Sequence, residues 1–168
     1  MAAKNLPSKI KQILVTKLTS DFRDAVKIVS VPLPKVSAGQ VLVKNKFVGI
    51  NASDINFTSG KYLPGTQPPF PAGFEAVGKV VDVGENVSSS LIGKSIAHMT
   101  PGAFSEYQLV KSSQVFPVPT EKPEYLPLLV SGMTASLALK NCADLKPSDK
   151  VGLVCILQLS LSFLLVLL

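Results

Sequence analysis

The chain has 168 residues, enough for one domain with its own core or for one domain and part of a second, but not for two complete domains. With 46% hydrophobic and 17% charged residues the composition is that of a folded protein, although residues 151–168 inflate the apolar share. The net charge of +6 comes from lysines scattered along the chain, with Arg23 as the single arginine, so the basic patch that nucleic-acid binding needs is missing and no nucleic-acid partner is expected. Two cysteines, Cys142 and Cys155, cannot build a stapled secreted framework and point to a reducing, intracellular compartment.

Residues 1–9 form an N-terminal extension with neither the apolar stretch of a signal peptide nor the arginines of a transit peptide. From residue 10 to residue 124 short β-rich runs are broken by glycine and proline. They are Ile10 to Leu18, Ala25 to Val31, Gln40 to Gly49, Ala76 to Val83, Lys94 to His98 and Phe104 to Val110. This spacing favours a barrel or sandwich over a helical bundle. Val41, Val43 and Phe47, like Val77, Val81 and Val83, each suggest one apolar face of a half-buried strand. Two loops are expected, Thr58 to Pro71 and Gly84 to Ser90.

After Pro123 the pattern changes. Tyr125 to Ala143 carries Leu, Met and Ala at helical spacing and reads as one or two helices ending near Asp144, ahead of Pro147. A charged turn, Lys146 to Lys150, leads into an apolar run from Val151 to Ile156 that suits a buried parallel strand, which is how an α/β domain opens. Residues 157–168 form a divergent, leucine-rich tail.

Four segments occur in a fixed order: GINASD (Gly49 to Asp54), PPFPAGFEAVGKVVDVG (Pro68 to Gly84), GAFSEY (Gly102 to Tyr107) and SGMTASLAL (Ser131 to Leu139). On these the chain resembles the medium-chain dehydrogenase/reductase superfamily, and within it the zinc-free quinone oxidoreductase branch. The likeness extends from about Ile10 to Val154, the first half of a typical member. It implies a mainly β fold with some helix: a GroES-like, partly open β-barrel over residues 10–124, then over 125–156 a linking helix and the stub of a Rossmann cofactor domain. It also implies NADPH-dependent reduction of the activated double bond of an enone, such as an oxo-prostaglandin, or of a quinone, in a peroxisomal or cytoplasmic setting. The final Leu165, Val166, Leu167 and Leu168 are not a Ser-Lys-Leu peroxisomal address.

Zinc-dependent members hold their metal with a cysteine in the first motif and a histidine in the second, places taken here by Asn51 and Phe74. Neither an amide nor a phenyl ring replaces thiolate or imidazole, and two cysteines cannot form a four-cysteine structural site, so no metal is expected. By the same resemblance Asn51 lies beside the nicotinamide, Tyr62 near the substrate cleft and Thr134 in the nicotinamide region. The two catalytic candidates are therefore Asn51 and Tyr62, and the two cofactor candidates Asn51 and Thr134, with roles in positioning and hydrogen-bond donation. Each has a structural alternative. Asn51 equally suits a turn before a short helix led by Ser53 and Asp54, Tyr62 could shield its loop, and Thr134 could bond within its helix. Gly73, Glu75 and Gly78 read as structural, and His98, the sole histidine, as satisfied or at the surface.

The likeness breaks at residues 151–168, VGLVCILQLSLSFLLVLL. No glycine follows Gly152, and nowhere do two glycines flank a single residue, so the G-x-G-x-x-G cradle for a dinucleotide's diphosphate is absent and NADPH is not expected to bind this chain normally. A truncated isoform, inactive alone, is the leading expectation. Alternatively the apolar end serves as a tail anchor in a membrane, near the lower length limit for a span. A third possibility is a non-catalytic module that pairs with full-length subunits.

Overall fold

The computed structural model describes residues 6–62, 64–143, 146, 148 and 149. The first long strand, β1 (Lys9–Val15), turns through a short helix α1 (Phe22–Ala25) into β2 (Val26–Pro32), and the pair is antiparallel with Ile10 opposite Val31. Asp21 starts α1 by accepting bonds from the Arg23 and Asp24 backbone N–H groups. The β1 run stops three residues short of Leu18 because the N–H groups of Thr16 and Lys17 both turn back to the Ala25 carbonyl.

Strand β3 (Gln40–Val48) is followed by helix α2 (Ala52–Thr58), the two-residue β4 (Phe70–Pro71), β5 (Ala76–Val83), β6 (Ser95–His98), β7 (Tyr107–Lys111) and β8 (Val115–Pro117). The order is β2-β1-β4 in a three-stranded sheet and β7-β3-β5-β6-β8 in a five-stranded one, every pair antiparallel. Residues 103–106 stitch the two sheets together. The Ile13 N–H donates to the Phe104 carbonyl at 2.8 Å, and the Glu106 N–H to the Lys11 carbonyl at 3.0 Å. This junction curls the sheets into the partly open, mainly β barrel that the motifs imply. It also explains why Phe104 to Glu106, read as the start of a strand, lies outside β7: its backbone N–H groups go to Lys11 of β1 and to the Ala72 and Ala103 carbonyls, and only the Glu106 carbonyl joins the β3 backbone, accepting from the Asn45 N–H.

The half-buried faces expected for β3 and β5 are corrected by the structure. Val41 and Val43 join Val80, Ile96 and Val110 in one core cluster, while Leu42 packs with Ile10 and Tyr107 in another, so β3 is covered on both sides. A register shift between Asn45 and Phe47 then sends Phe47 to a third cluster with Val77, Ala97, Leu126 and Leu129. Two bulges of this kind in one strand are what bends the sheet.

The helical span after Pro123 is two pieces, a 3₁₀ segment over Pro123–Leu128 and helix α3 (Val130–Cys142). Pro127 lies within the first piece and cannot donate to an α-helical ladder, so the chain breaks at Leu129 before α3 begins. The first cofactor-domain strand and the leucine-rich tail expected over residues 151–168 lie outside the described residues. Among the described residues no helix is long and apolar enough to cross a membrane.

Candidate functional site

Strand β3 ends by delivering Gly49, Ile50 and Asn51 to the start of α2. Asn51 is extended and is itself the N-cap, so the helix is led by Asn51 rather than by Ser53 or Asp54. The Asn51 N–H donates to the Asp54 carboxylate at 2.7 Å, and the Asp54 N–H donates to the Asn51 carbonyl at 3.0 Å, which fixes the first turn reciprocally.

Glu75, at the entry to β5 and only 4% exposed, joins three elements. One carboxylate oxygen accepts from the Asn51 side-chain amide at 2.9 Å and the other from the Val130 N–H, at the start of α3, at 2.8 Å. The Gly49 N–H donates to the Glu75 carbonyl at 3.1 Å. A Cβ on Gly49 would overlap the Glu75 carboxylate, so only glycine lets β3 approach this closely.

The other two candidates hang from the same framework. Thr134 donates its hydroxyl to the Val130 carbonyl at 2.6 Å, one turn into α3, and is exposed. Asn51 and Thr134 are thus linked through Glu75 and Val130. Tyr62, 54% exposed, accepts a 3.4 Å bond from the side chain of Asn56 on α2, which leaves its own O–H available as a donor. Glu75, assigned only a structural part by its motif, is the bridge. The signal for it is an acid set in the apolar run between Phe74 and Ala76, since a carboxylate buried there must be satisfied.

Burial, reinforced by the charge of nearby Glu75 and opposed by the Asn51 N–H, raises the Asp54 carboxyl from its ordinary 3.8 to about 6. An acid raised on folding stabilises the fold fully below about pH 3.8 and loses that contribution as pH rises through about 6. One oxygen of Asp54 has no partner. Asp54→Asn keeps an acceptor for the Asn51 N–H without the charge. It is expected to be more stable than the parent at pH 7.5, with the advantage vanishing by about pH 4, as measured by urea unfolding at the two pH values.

His98, itself fully buried, belongs to a separate network. Its Nε2 lies 3.1 Å from the Asn45 side-chain oxygen, while the Asn45 amide donates to the carbonyls of Ala103 and Ser105 at 3.1 and 3.0 Å. With both of its N–H groups used, Asn45 offers only an acceptor, so His98 is the neutral Nε2–H tautomer. It anchors the loop that joins the sheets.

Two groups known to the superfamily can be tested against these residues. At the zinc-ligand places, the Asn51 amide is committed to Glu75 and the Phe74 ring packs edge-on against Phe57 with centroids 4.8 Å apart. Neither fits a zinc ion. Among the described residues no three His, Cys, Asp or Glu side chains come together. For a dinucleotide, the diphosphate needs a free helix N-terminus and a glycine turn. The N-terminus of α3 holds the Glu75 carboxylate, and no G-x-G turn occurs in the sequence, so the described residues do not fit that half of the cofactor.

Residues 37–120 match the family model described as the alcohol dehydrogenase GroES-like domain. The chain belongs to this family. The GroES-like chain is 47% identical over 148 residues to prostaglandin reductase-3 of Bos taurus, a match covering 87% of the chain and 39% of the relative. Among solved structures it is similar to a mycobacterial protein complexed with NADPH, at 28% identity and TM-score 0.70, covering 83% of the chain and 42% of that protein. It is also similar to a mycobacterial quinone oxidoreductase at 26% identity and TM-score 0.68, covering 84% and 44%. The GroES-like chain therefore spans less than half the length of the relatives it matches. The resemblance to the quinone oxidoreductase branch of the medium-chain superfamily, read from the four motifs, is borne out.

Proposed function

We propose that the chain is the substrate-side part of a zinc-independent, NADPH-dependent reductase of activated carbon–carbon double bonds, taking an enone of oxo-prostaglandin type or a quinone. The observation that carries this proposal is the Asn51–Glu75–Val130 network. Where zinc-dependent relatives place metal ligands, this chain has a hydrogen-bonded brace joining the head of α2, the entry to β5 and the head of α3. The GroES-like unit is assigned to residues 10–124, with 125–156 as the link to a cofactor domain.

In this assignment each residue acts through its hydrogen bonds. Asn51, held by Glu75 and Asp54, is assigned a fixed place beside the reacting carbon. Tyr62 directs its unused O–H toward the carbonyl oxygen, where charge gathers as the β-carbon is reduced. Thr134 keeps lone pairs free to receive an amide after donating to Val130. With no G-x-G turn in its sequence, the 168-residue chain alone is assigned no reductase activity.

The test is a fusion of residues 1–150 to the remainder of bovine prostaglandin reductase-3, assayed for NADPH-dependent enone reduction. Chelators are expected to leave its rate unchanged, and Tyr62→Phe to lower kcat/KM by roughly 10- to 100-fold, the range for losing one oxyanion donor. A chelator-sensitive rate, or full activity in both Tyr62→Phe and Asn51→Ala, would overturn the assignment.

A further inference from the structure

The backbone bonds of the three-stranded sheet leave one edge open. In an antiparallel pair, residues that exchange N–H and C=O bonds across the pair alternate with residues whose groups point away from it. At the two ends of the β1–β2 ladder the Thr16 N–H donates to the Ala25 carbonyl and the Leu33 N–H to the Ser8 carbonyl. The register between them has no bulge, so Lys27, Val29 and Val31 bond to β1, while Val26, Ile28 and Ser30 direct their N–H and C=O groups outward. The same alternation turns Lys11 and Ile13 of β1 the other way, and there their groups are taken. Lys11 donates to the Glu106 carboxylate and accepts from the Glu106 N–H, and Ile13 donates to the Phe104 carbonyl and accepts from the Ala72 N–H. Strand β2 is the last of its sheet, and among the described residues no group bonds to its outward N–H and C=O groups.

The other sheet ends are shorter or blunted. Strand β4 has two residues and β8 three, each ending in proline, and the Tyr107 carbonyl of β7 is taken by the Ser105 hydroxyl. Strand β2 keeps seven residues, with its one proline at the very end. Near its middle Ile28 is 71% exposed and lines an apolar cleft of about 430 Å³ together with Val48 and Ile50. An unbulged open edge with an exposed apolar side chain is a template for another strand.

We propose that this edge pairs with β2 of a second copy of the chain, antiparallel about a two-fold axis at Ile28. Placing Ile28 opposite Ile28 sets Val26 opposite Ser30, so each outward N–H meets an outward carbonyl of the other copy. The charges permit this register. Lys27, the only charged residue of β2, falls opposite Val29, while Asp24 and Arg23 fall opposite Pro32 and Leu33, so no like charges are opposed. The contact uses the same patch on both copies and consumes both edges, so association stops at two. The two exposed Ile28 side chains meet on one face of the joined sheet. A strip one strand long is small beside the roughly 1,200–2,000 Å² of a stable interface, so the dimer is weak and dissociates at about 10 µM and below.

Sedimentation velocity of the full chain between about 10 µM and about 1 mM is expected to show a monomer–dimer equilibrium with no larger species. Ile28→Lys opposes two ammonium groups at the two-fold axis. Ser30→Pro removes an outward N–H and leaves the ladder to β1 intact. Each is expected to weaken dimerisation by about tenfold or more, whereas Ile92→Lys, at an exposed position away from β2, is expected to leave it unchanged. Ile28 and Ser30 are both exposed, so the fold should tolerate these changes, which circular dichroism checks. In a second measurement, Ile28→Cys in the chain carrying Cys142→Ser and Cys155→Ser should form a covalent dimer under mild oxidation, because Cα atoms of a bonded cross-strand pair lie about 5.5 Å apart, within disulfide reach. Ile92→Cys in the same background should not. The proposal fails if the chain is monomeric at about 1 mM, if neither edge variant weakens association, if the two cysteine variants cross-link equally, or if association runs on past two copies, which assigns it to apolar surface elsewhere.

Discussion

Glu75→Ala is expected to lower the unfolding free energy by about 3 kcal/mol at pH 7.5, from two lost charge-assisted hydrogen bonds of about 1.5–3 kcal/mol each, less the relief of repulsion on Asp54. The substitution strands the Val130 N–H at the head of α3 and the Asn51 amide at the head of α2, both of which have Glu75 as partner. Glu75→Gln should lose only about 1 kcal/mol, because its remaining carbonyl oxygen can still serve Val130 while the Asn51 amide flips to accept from the new N–H. Urea unfolding gives the two values, and hydrogen exchange at Val130 separates this role from generic packing. Protection there should fall with alanine and persist with glutamine. Equal losses for the two variants would show that the carboxylate merely fills space.

The second large effect is acid sensitivity at His98. Burial lowers its pKa from 6.5 to about 4. A histidine depressed on folding binds fewer protons in the native state, so its contribution is complete above about pH 6.5 and is lost as pH falls toward about 4. Its magnitude is about 3 kcal/mol, because each tenfold loss of proton affinity on folding is worth roughly 1.36 kcal/mol. Asp54 works in the opposite direction over nearly the same interval, gaining stability as pH falls from about 6. The parent chain should therefore show a shallow acid profile between pH 4 and 6, and Asp54→Asn should expose the full His98 slope. A steep parent profile, or a flat one in Asp54→Asn, contradicts the paired titration.

The fold was legible wherever alternation and turn residues agree. Strand β5 has the limits read from the sequence, and β3 and β6 each come within one residue of theirs. Legibility failed where backbone partners decide the outcome. Phe104 to Glu106 has strand-like residues, but its N–H groups run to β1, Ala72 and Ala103 rather than along a β7 ladder. Two short strands, Phe70–Pro71 and Val115–Pro117, contain proline and are held by a single neighbour each, which gives no periodic signal. The break within the helical span is carried by Pro127, a local signal that outweighs the apolar spacing around it.

The site was legible by motif but not by mechanism. Asn51 and Thr134 were named from separate segments, and nothing in their spacing along the chain shows that Glu75 connects them. That connection depends on β3 and β5 pairing so closely at Gly49 that a carboxylate fills the place of a side chain. Likewise, the spare O–H of Tyr62 depends on Asn56 donating to it from one face of α2.

The most direct test of the central claim is a fluorescence titration of NADPH into the purified 168-residue chain, beside the fusion that carries the remainder of the bovine relative. The chain, with the head of α3 occupied by Glu75 and no G-x-G turn, is expected to show no saturation into the millimolar range, while the fusion binds with micromolar affinity. Saturable micromolar binding by the chain alone would contradict the account.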